Sequence, residues 1–208
     1  MADSYLTVRG YGSGEYVEKK SRFIGSIAPV ADVGEAEAFL AEVKAKNPGA
    51  NHNVYAYLLR DGIHKRYSDD GEPQGTGGPA VLEMLEREGV VRGCCVVTRY
   101  FGGTLLGAGN LTRAYGKAAR LALVDAGKAV MSPCKVLSLT VDYGLYGKAA
   151  YILPQYNIKT LDEAFTDAVT LTLLIRADRA ERFAAEIREM SAGKTEPVVV
   201  EERFCEME

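Results

Sequence analysis

The chain has 208 residues, of which 47% are hydrophobic and 25% are charged. This composition is typical of a folded soluble protein and argues against disordered, collagen-like and membrane-spanning classes. The formal net charge is -3, which excludes a strongly basic nucleic-acid coat over the whole chain. No apolar run reaches the roughly 18 residues of a membrane span, and the start has no signal-like apolar stretch. We therefore expect a cytoplasmic protein.

The first part of the chain alternates between strand and helix patterns. In chain order the predicted elements are two strands within residues 15–30, a helix at 33–46, a strand at 54–58, a helix at 79–88, a strand at 90–100 and a helix at 111–126. The predicted turn Asp61-Gly62 follows the third strand. The stretch from Ser68 to Gly78 shows no periodicity, so an irregular loop is expected there.

The pattern restarts after Pro133. The order over residues 135–205 is strand, helix, strand, strand, helix, strand, which is the split βαβ order of ferredoxin-like domains. We therefore predict an α+β protein with two domains, at residues 1–130 and 131–208, and a boundary near residues 128–134.

The four cysteines have no regular spacing and no C-x-x-C motif, so neither a zinc site nor a disulfide scaffold is expected. Cys94 and Cys95 are neighbours in an apolar strand-like run. Because successive side chains of a strand point to opposite faces, we expect two buried thiols on opposite sides of a sheet.

An acidic loop brings three carboxylates, Asp69, Asp70 and Glu72, within four residues. Such a run can be a structural turn, a partner-recognition surface, or a metal or catalytic site. It lacks the twelve-residue layout of an EF-hand, since the glycine follows only two acids. The structural turn is the favoured interpretation, and neither a metal nor a catalytic residue is expected.

A glycine-rich turn separates the strand ending at Tyr100 from the following helix. Free backbone N–H groups at a helix start favour anions, so phosphate binding is physically reasonable. The match to nucleotide motifs is weak, however. Ala108 and Gly109 stand where a Walker loop has Lys and Ser or Thr, and Thr112 replaces the third dinucleotide glycine.

The same helix carries Arg113, Lys117 and Arg120 at i, i+4 and i+7, so the three cations share one face. A solvated helix face is the ordinary explanation, but the neighbouring glycines and aromatic residues favour nucleic acid. The candidate nucleic-acid or anion-binding residues are Arg99, Gly102, Gly103, Gly107, Gly109, Arg113, Lys117 and Arg120.

Histidines are few, and neither His52 nor His64 lies beside an evident nucleophile in the sequence. Arg22 enters an apolar strand and could either contact a ligand or pair with Glu72 or Asp69. A second group of residues is therefore interpreted as a partner-facing or structural loop region: Arg22, His52, Arg66, Ser68, Asp69, Asp70 and Glu72.

Several of these motifs occur together in one order. They are Ser21-Arg22-Phe23-Ile24, His52 with Tyr55-Ala56-Tyr57, Arg66 leading to Ser68-Asp69-Asp70-Gly71-Glu72-Pro73, Gly75-Thr76 with Gly78-Pro79, Thr98-Arg99-Tyr100-Phe101-Gly103, Leu106-Gly107, Gly109, Leu111 and Arg113-Ala114-Tyr115. This set resembles the IMPACT family in its bacterial YigZ-like form over about residues 15–127. Gly77 and Asn110 depart from the pattern, where Ala and Gly are expected.

The resemblance implies an N-terminal domain like the second domain of ribosomal protein S5, similar to domain IV of elongation factor G. It also implies a C-terminal ferredoxin-like domain similar to that factor's domain V. Eukaryotic members regulate translation by competing for an activator of a starvation-responsive kinase, a pathway that bacteria lack.

The functional expectation is a translation-associated binding or regulatory protein that engages RNA or the ribosome, with a possible protein partner in translation control. No catalysis and no cofactor are implied. The alternative is a metal-dependent enzyme that uses Asp69, Asp70 and Glu72 on a phosphate-bearing substrate held at the Gly102–Gly109 turn.

Overall fold

A computed structural model describes residues 3–60 and 64–207, and the predicted Asp61-Gly62 turn lies outside this part of the chain. The fold is mixed α and β, with two compact units. One unit comprises residues 5–129, and the other comprises residues 130–207 together with Asp3 and Ser4. The predicted α+β class is confirmed.

The first unit is built on an antiparallel sheet of five strands in the order β2-β3-β6-β4-β5. Its elements are β1 (Tyr5–Val8), β2 (Gly12–Glu18), β3 (Ser21–Pro29), α1 (Val33–Lys46), β4 (His52–Leu58), β5 (Lys65–Ser68), α2 (Gly78–Arg87), β6 (Gly93–Tyr100) and α3 (Ala108–Ala126). Strands β1 and β5 are short and were not predicted. Helix α3 begins three residues before the predicted start.

Helices cover both faces of this sheet. Cys94 and Val96 of β6 pack with α1, whereas Cys95 and Val97 pack in the cluster that contains α2 and α3. The prediction that the two neighbouring thiols are buried on opposite faces is confirmed. Burial raises the pKa of Cys94 to about 12, so this thiol stays protonated and is a poor nucleophile.

Glycines allow α3 to approach the sheet closely. A Cβ added at Gly25 would lie 2.3 Å from the carbonyl oxygen of Ala118, and one added at Gly12 would lie 2.4 Å from the amide nitrogen of Ala126. No side chain fits between the strand and the helix at these points. The close contact fixes α3 against β2 and β3, with the opposite side of the helix in solvent.

The second unit has the predicted strand and helix order. Its elements are β7 (Lys128–Val141), α4 (Tyr143–Ile152), a short 3-10 turn (Leu153–Tyr156), β8 (Lys159–Phe165), β9 (Val169–Arg176), α5 (Ala177–Met190) and β10 (Val198–Glu206). The strands pair antiparallel in the order β10-β7-β9-β8, and apolar residues of α4 and α5 pack on one face. This arrangement is the ferredoxin-like fold.

Two boundaries in this region differ from those predicted. The sequence predicts a short helix only around Lys148–Ile152, but α4 begins at Tyr143. Asp142 caps this earlier start by accepting a hydrogen bond from the Leu145 amide at 2.8 Å. Strand β7 begins at Lys128, and its residues from Met131 onward pair with β10. A paired strand therefore runs through the predicted boundary region at 128–134, and the domain boundary near residue 130 stays a prediction.

A disulfide joins Cys134 to Cys205, which the expectation of no disulfide scaffold did not anticipate. The two residues are 71 positions apart, with their Cα atoms 6.3 Å from each other. Antiparallel pairing of β7 with β10 places Cys205 opposite Ser132, two residues from Cys134. Only this long-range register brings the sulfur atoms together, and cysteine spacing gives no signal of it.

Candidate functional site

The candidate site lies at one end of the first sheet, where β6 ends and where β3 and β4 begin. The strand register places Phe23, Arg99 and His52 side by side on three neighbouring strands. Their side chains therefore share the sheet face that packs against α2 and α3. The acidic loop and the glycine-rich turn both start at this end of the sheet.

At the centre of the site, a buried ion pair joins the acidic loop to β6. Arg99 Nη1 lies 2.6 Å from Glu72 Oε1, and only 7% and 3% of the two side chains are exposed. The Tyr115 hydroxyl of α3 donates to the same carboxylate oxygen at 2.6 Å. Burial, reinforced by this hydrogen bond, raises the pKa of Tyr115 far above its usual range, so the hydroxyl stays protonated.

The guanidinium of Arg99 is enclosed by aromatic rings. It lies 5.3 Å from the ring centre of Phe23 and 5.6 Å from that of Phe101, and Nη2 reaches Ser21 Oγ at 3.5 Å. Its Nε is buried without a hydrogen-bond partner. Arg99 therefore belongs to the interior of the unit, where it neutralises Glu72. Unlike Arg99, the three cations of α3 are exposed.

Asp69 holds the end of the acidic loop against the start of α2. Its carboxylate accepts hydrogen bonds from the backbone amides of Gly75, Gly77 and Gly78, all at 2.8–2.9 Å. Burial raises the pKa of Asp69, but the three amide hydrogen bonds outweigh it and hold the pKa below its usual value. Asp69 thus caps the loop and the helix start.

Asp70 and its neighbours are also held by protein donors. The Asp70 carboxylate accepts from Lys44 Nζ at 3.0 Å and from the Asn53 amide at 2.7 Å, and its backbone oxygen lies 2.9 Å from His52 Nδ1. The Ser68 hydroxyl accepts from the Asp70 amide. The three carboxylates of the loop therefore bond to three different groups of donors.

Replacing Asp69 by asparagine should lower the free energy of unfolding by about 1–2 kcal/mol at neutral pH, because an amide cannot accept all three hydrogen bonds. The folded-state pKa of Asp69 is depressed, so its contribution is present above the unfolded value near 3.8 and is lost as the pH falls through the folded value. Urea unfolding of the parent and of Asp69→Asn near pH 7 and near pH 3 measures this effect. The difference between their free energies of unfolding should be smaller near pH 3. An equal difference at the two pH values would contradict this role.

Two arginines of the loop group lie in the solvent. Arg22 forms two hydrogen bonds of 3.0 Å to Glu15 on the neighbouring strand, so the alternative pairing with Glu72 or Asp69 is wrong. Arg66 lies 3.8 Å from Glu37, and both side chains are about 60% exposed. Strand alternation directs Arg22 to the sheet face opposite the buried ion pair. Arg66 lies beside Glu37 of α1 and is also separate from that pair.

The glycine-rich turn is anchored at its start. The Gly102 amide donates to Ser21 Oγ at 3.1 Å, and the Phe101 amide donates to the Asn51 side chain at 2.8 Å. Gly103 and Gly107 have φ angles of 81° and 79°, which glycine adopts without strain. Gly107 precedes α3 and provides no side-chain cap, whereas Gly109 lies exposed in the first turn.

The three cations of α3 are exposed, as their spacing predicts, but each one contacts a different kind of group. Arg113 bonds to Asn110 at 2.6 Å, and Lys117 Nζ lies 4.2 Å from the ring centre of Tyr16. Arg120 lies 3.7 Å from Glu88, a residue that also pairs with Lys128. Arg120 therefore lies beside a carboxylate, whereas the contacts given above for Arg113 and Lys117 are with uncharged groups.

Sequence reasoning missed two members of the buried cluster. In the sequence, Tyr115 and Ser21 stand out only as members of the motifs Arg113-Ala114-Tyr115 and Ser21-Arg22-Phe23-Ile24. Both side chains are fully buried polar groups, and a polar group is buried only with a partner. In the described part of the chain, no group of three or more His, Cys, Asp or Glu residues is arranged to hold a metal ion.

Two family models match this chain. The Impact N-terminal domain matches residues 19–123, which contain the buried cluster and the three cations of α3. A domain of unknown function, DUF1949, matches residues 139–194. The chain belongs to the IMPACT family. The resemblance drawn from the sequence motifs is thereby confirmed.

Bacterial IMPACT family members are similar to the chain over most of its length. The family member YvyE of Bacillus subtilis is 34% identical over 94% of this chain and 91% of its own. YigZ of Escherichia coli is 33% identical over 88% and 92%. A solved structure titled as a hypothetical protein matches with a TM-score of 0.63 and 31% identity, covering 97% of this chain and 99% of that one.

Mammalian IMPACT proteins share a smaller region. Protein IMPACT of Rattus norvegicus is 31% identical over 94 residues, which are 43% of this chain and 30% of that protein. No helix in residues 3–60 or 64–207 is both long and apolar enough to cross a membrane.

Proposed function

We propose that this IMPACT family protein is a translation-associated binding protein that acts in the cytoplasm and engages RNA or the ribosome through its first unit. The observation that carries the proposal is the exposed cationic face of α3, with Arg113, Lys117 and Arg120 on one side of a helix. The chain as a whole is negatively charged, so this face is a local feature suited to phosphate groups.

The arrangement of the helix supports this role. Close packing of α3 on β2 and β3 fixes the helix axis, and the exposed surface of the helix carries the three cations, with Lys117 Nζ lying over the Tyr16 ring of β2. The first turn of α3 has no side-chain cap and no acidic residue, so its free amide groups and helix dipole add to the positive potential. A rigid helix with this charge pattern can follow a phosphate backbone.

The enzyme alternative needs carboxylate oxygens that converge on one metal ion. In the structure, Asp69 is bonded to three backbone amides, Asp70 to Lys44 and Asn53, and Glu72 to Arg99 and Tyr115. These donors direct the carboxylates away from one another. We therefore propose binding, and not metal-dependent catalysis.

The proposal is tested with a variant in which Arg113, Lys117 and Arg120 are all replaced by glutamine. If all three contact phosphates, the slope of log affinity against log salt for a labelled single-stranded RNA should fall by about 2, at roughly 0.7 per lost contact. Cosedimentation with ribosomes at low salt should weaken in parallel. Thermal stability should change little, because each substitution on an open helix face usually costs less than about 0.5 kcal/mol.

A matched control removes three exposed lysines elsewhere, by replacing Lys148, Lys159 and Lys194 with glutamine. It makes the same change in net charge without touching α3. The proposal fails if the α3 variant binds RNA and ribosomes as the parent does at matched salt. It also fails if both variants lose the same affinity, since net charge alone would then explain binding.

A further inference from the structure

A second cationic feature lies at the tip of the β2–β3 hairpin. Glu18 pairs with Ser21, so Lys19 and Lys20 alone form the turn between the strands. Both lysines are exposed, and no ion pair in the described part of the chain includes either of them. This tip adds two free positive charges that the sequence motifs did not single out.

The backbone of this tip is unusual for lysine. Lys19 has a φ of 43° and Lys20 a φ of 69°, as in the two-residue hairpin turns that normally use Asn-Gly. A side chain with a Cβ adopts this region at a steric cost. Two successive lysines at these positions add two positive charges where asparagine and glycine would have none.

The glycine-rich turn holds the tip in place. A Cβ added at Gly102 would lie 2.1 Å from the carbonyl carbon of Lys20, so the two backbones are in direct contact. Ser21 Oγ accepts the Gly102 amide hydrogen bond and links the turn to the start of β3. The hairpin tip and the start of the glycine-rich turn are consequently one rigid surface.

An exposed aromatic ring belongs to the same surface. Phe101 directly precedes Gly102, and 46% of it is exposed. The Arg99 guanidinium lies 5.6 Å from its ring centre, and the Asn51 side chain holds its amide. The ring is thus positioned by groups on its inner side, and its remaining area is available to a planar partner.

Tyr16 connects this tip to α3. Tyr16 lies on β2, two residues before Glu18, and Lys117 Nζ is 4.2 Å from its ring centre. The hydrogen bond to Glu18 raises the pKa of Tyr16, and the nearby charge of Arg113 opposes that effect. Arg113 and Lys117 therefore adjoin the hairpin, where Glu18 bonds to Tyr16.

We infer that the Lys19-Lys20 tip and Phe101 form a site for unpaired nucleotides of RNA, in which a base stacks on Phe101 and phosphates contact the two lysines. Stacking on an exposed ring beside lysines is the chemistry that recognises single strands, because bases in a duplex are already stacked. The inference rests on the proposed function and names the form of RNA that it involves.

Three variants test the site by fluorescence anisotropy with a labelled 12-nucleotide uridine strand and a duplex RNA of equal length. Lys19→Asn with Lys20→Gly removes both charges and supplies the favoured turn residues. We expect its Tm to rise by about 2–4 °C while the salt slope for the single strand falls by about 1.4.

Phe101→Leu retains an apolar side chain without a ring and should weaken single-strand binding about 5- to 150-fold. Phe101→Tyr should restore it.

The outcomes separate this site from the α3 face. If the α3 glutamine variant loses RNA affinity but the turn variant and Phe101→Leu bind the single strand as the parent does, the inference is overturned and the proposed function stands. Equal affinity of the parent for duplex and single strand also overturns it. If the parent binds neither RNA at low salt, the inference fails, and the proposed function fails with it only if the parent also does not cosediment with ribosomes.

Discussion

Replacing Glu72 by alanine should lower the free energy of unfolding by about 3–5 kcal/mol, one of the two largest effects that we expect. The substitution leaves the guanidinium of Arg99 buried without its counter-charge, 2.6 Å from where the carboxylate stood. It also leaves the buried Tyr115 hydroxyl without its acceptor. Urea unfolding of the full chain, monitored by circular dichroism, measures the loss.

Glu83→Ala is a suitable control for this measurement. Glu83 pairs with Arg87 on α2, but the two side chains are 56% and 77% exposed, so its removal should cost less than about 1 kcal/mol. Replacing Glu72 by leucine and Arg99 by methionine together should recover much of the lost stability, because no buried charge then remains. A loss for Glu72→Ala no greater than that for Glu83→Ala would show that the buried pair does not stabilise the fold.

Introducing a Cβ at Gly25 should have the second large effect. In Gly25→Ala the new carbon would lie 2.3 Å from the Ala118 carbonyl oxygen and 3.1 Å from the Ala122 side chain, so the helix or the strand must move. Overpacking of this kind typically costs about 1–3 kcal/mol, and the rigid backbone partner places this position at the upper end. Thermal unfolding measures the change.

Gly10→Ala provides the matched comparison, since a Cβ at that position would meet nothing within 4 Å. Its stability should equal or slightly exceed that of the parent, as expected when glycine is replaced without strain. The packing argument requires a clear gap between the two variants. If Gly25→Ala and Gly10→Ala unfold at the same temperature, then α3 moves without cost to admit the new carbon. The helix axis that carries the three cations would then not be fixed by this contact.

Local patterns in the sequence determined most of the regular structure. Apolar spacing of three and four residues predicts helices at 33–46 and 177–190, and the structure has them at Val33–Lys46 and Ala177–Met190. The opposite directions of Cys94 and Cys95 follow from strand alternation alone. Helix α4 was underestimated because Gly144 and Gly147 lower helix propensity, which the Asp142 cap offsets.

The cluster of Glu72, Arg99 and Tyr115 was decided only by tertiary structure. The sequence placed Glu72 in an acidic loop and Arg99 beside a glycine-rich turn, where its charge suggested phosphate. The three residues meet because an irregular loop, a central strand and a helix converge at one end of the sheet, with Arg99 and Glu72 27 positions apart. The spacing of residues along the chain therefore does not predict such a contact.

The same limit applies to the hairpin tip and to the disulfide. The inferred role of Lys19 and Lys20 depends on their turn geometry and on the backbone contact of Lys20 with Gly102. Both features depend on the register of β2, β3 and β6. The disulfide between Cys134 and Cys205 depends on the pairing of β7 with the last strand. Short-range periodicity specifies the elements, whereas the register between distant strands decides which side chains meet.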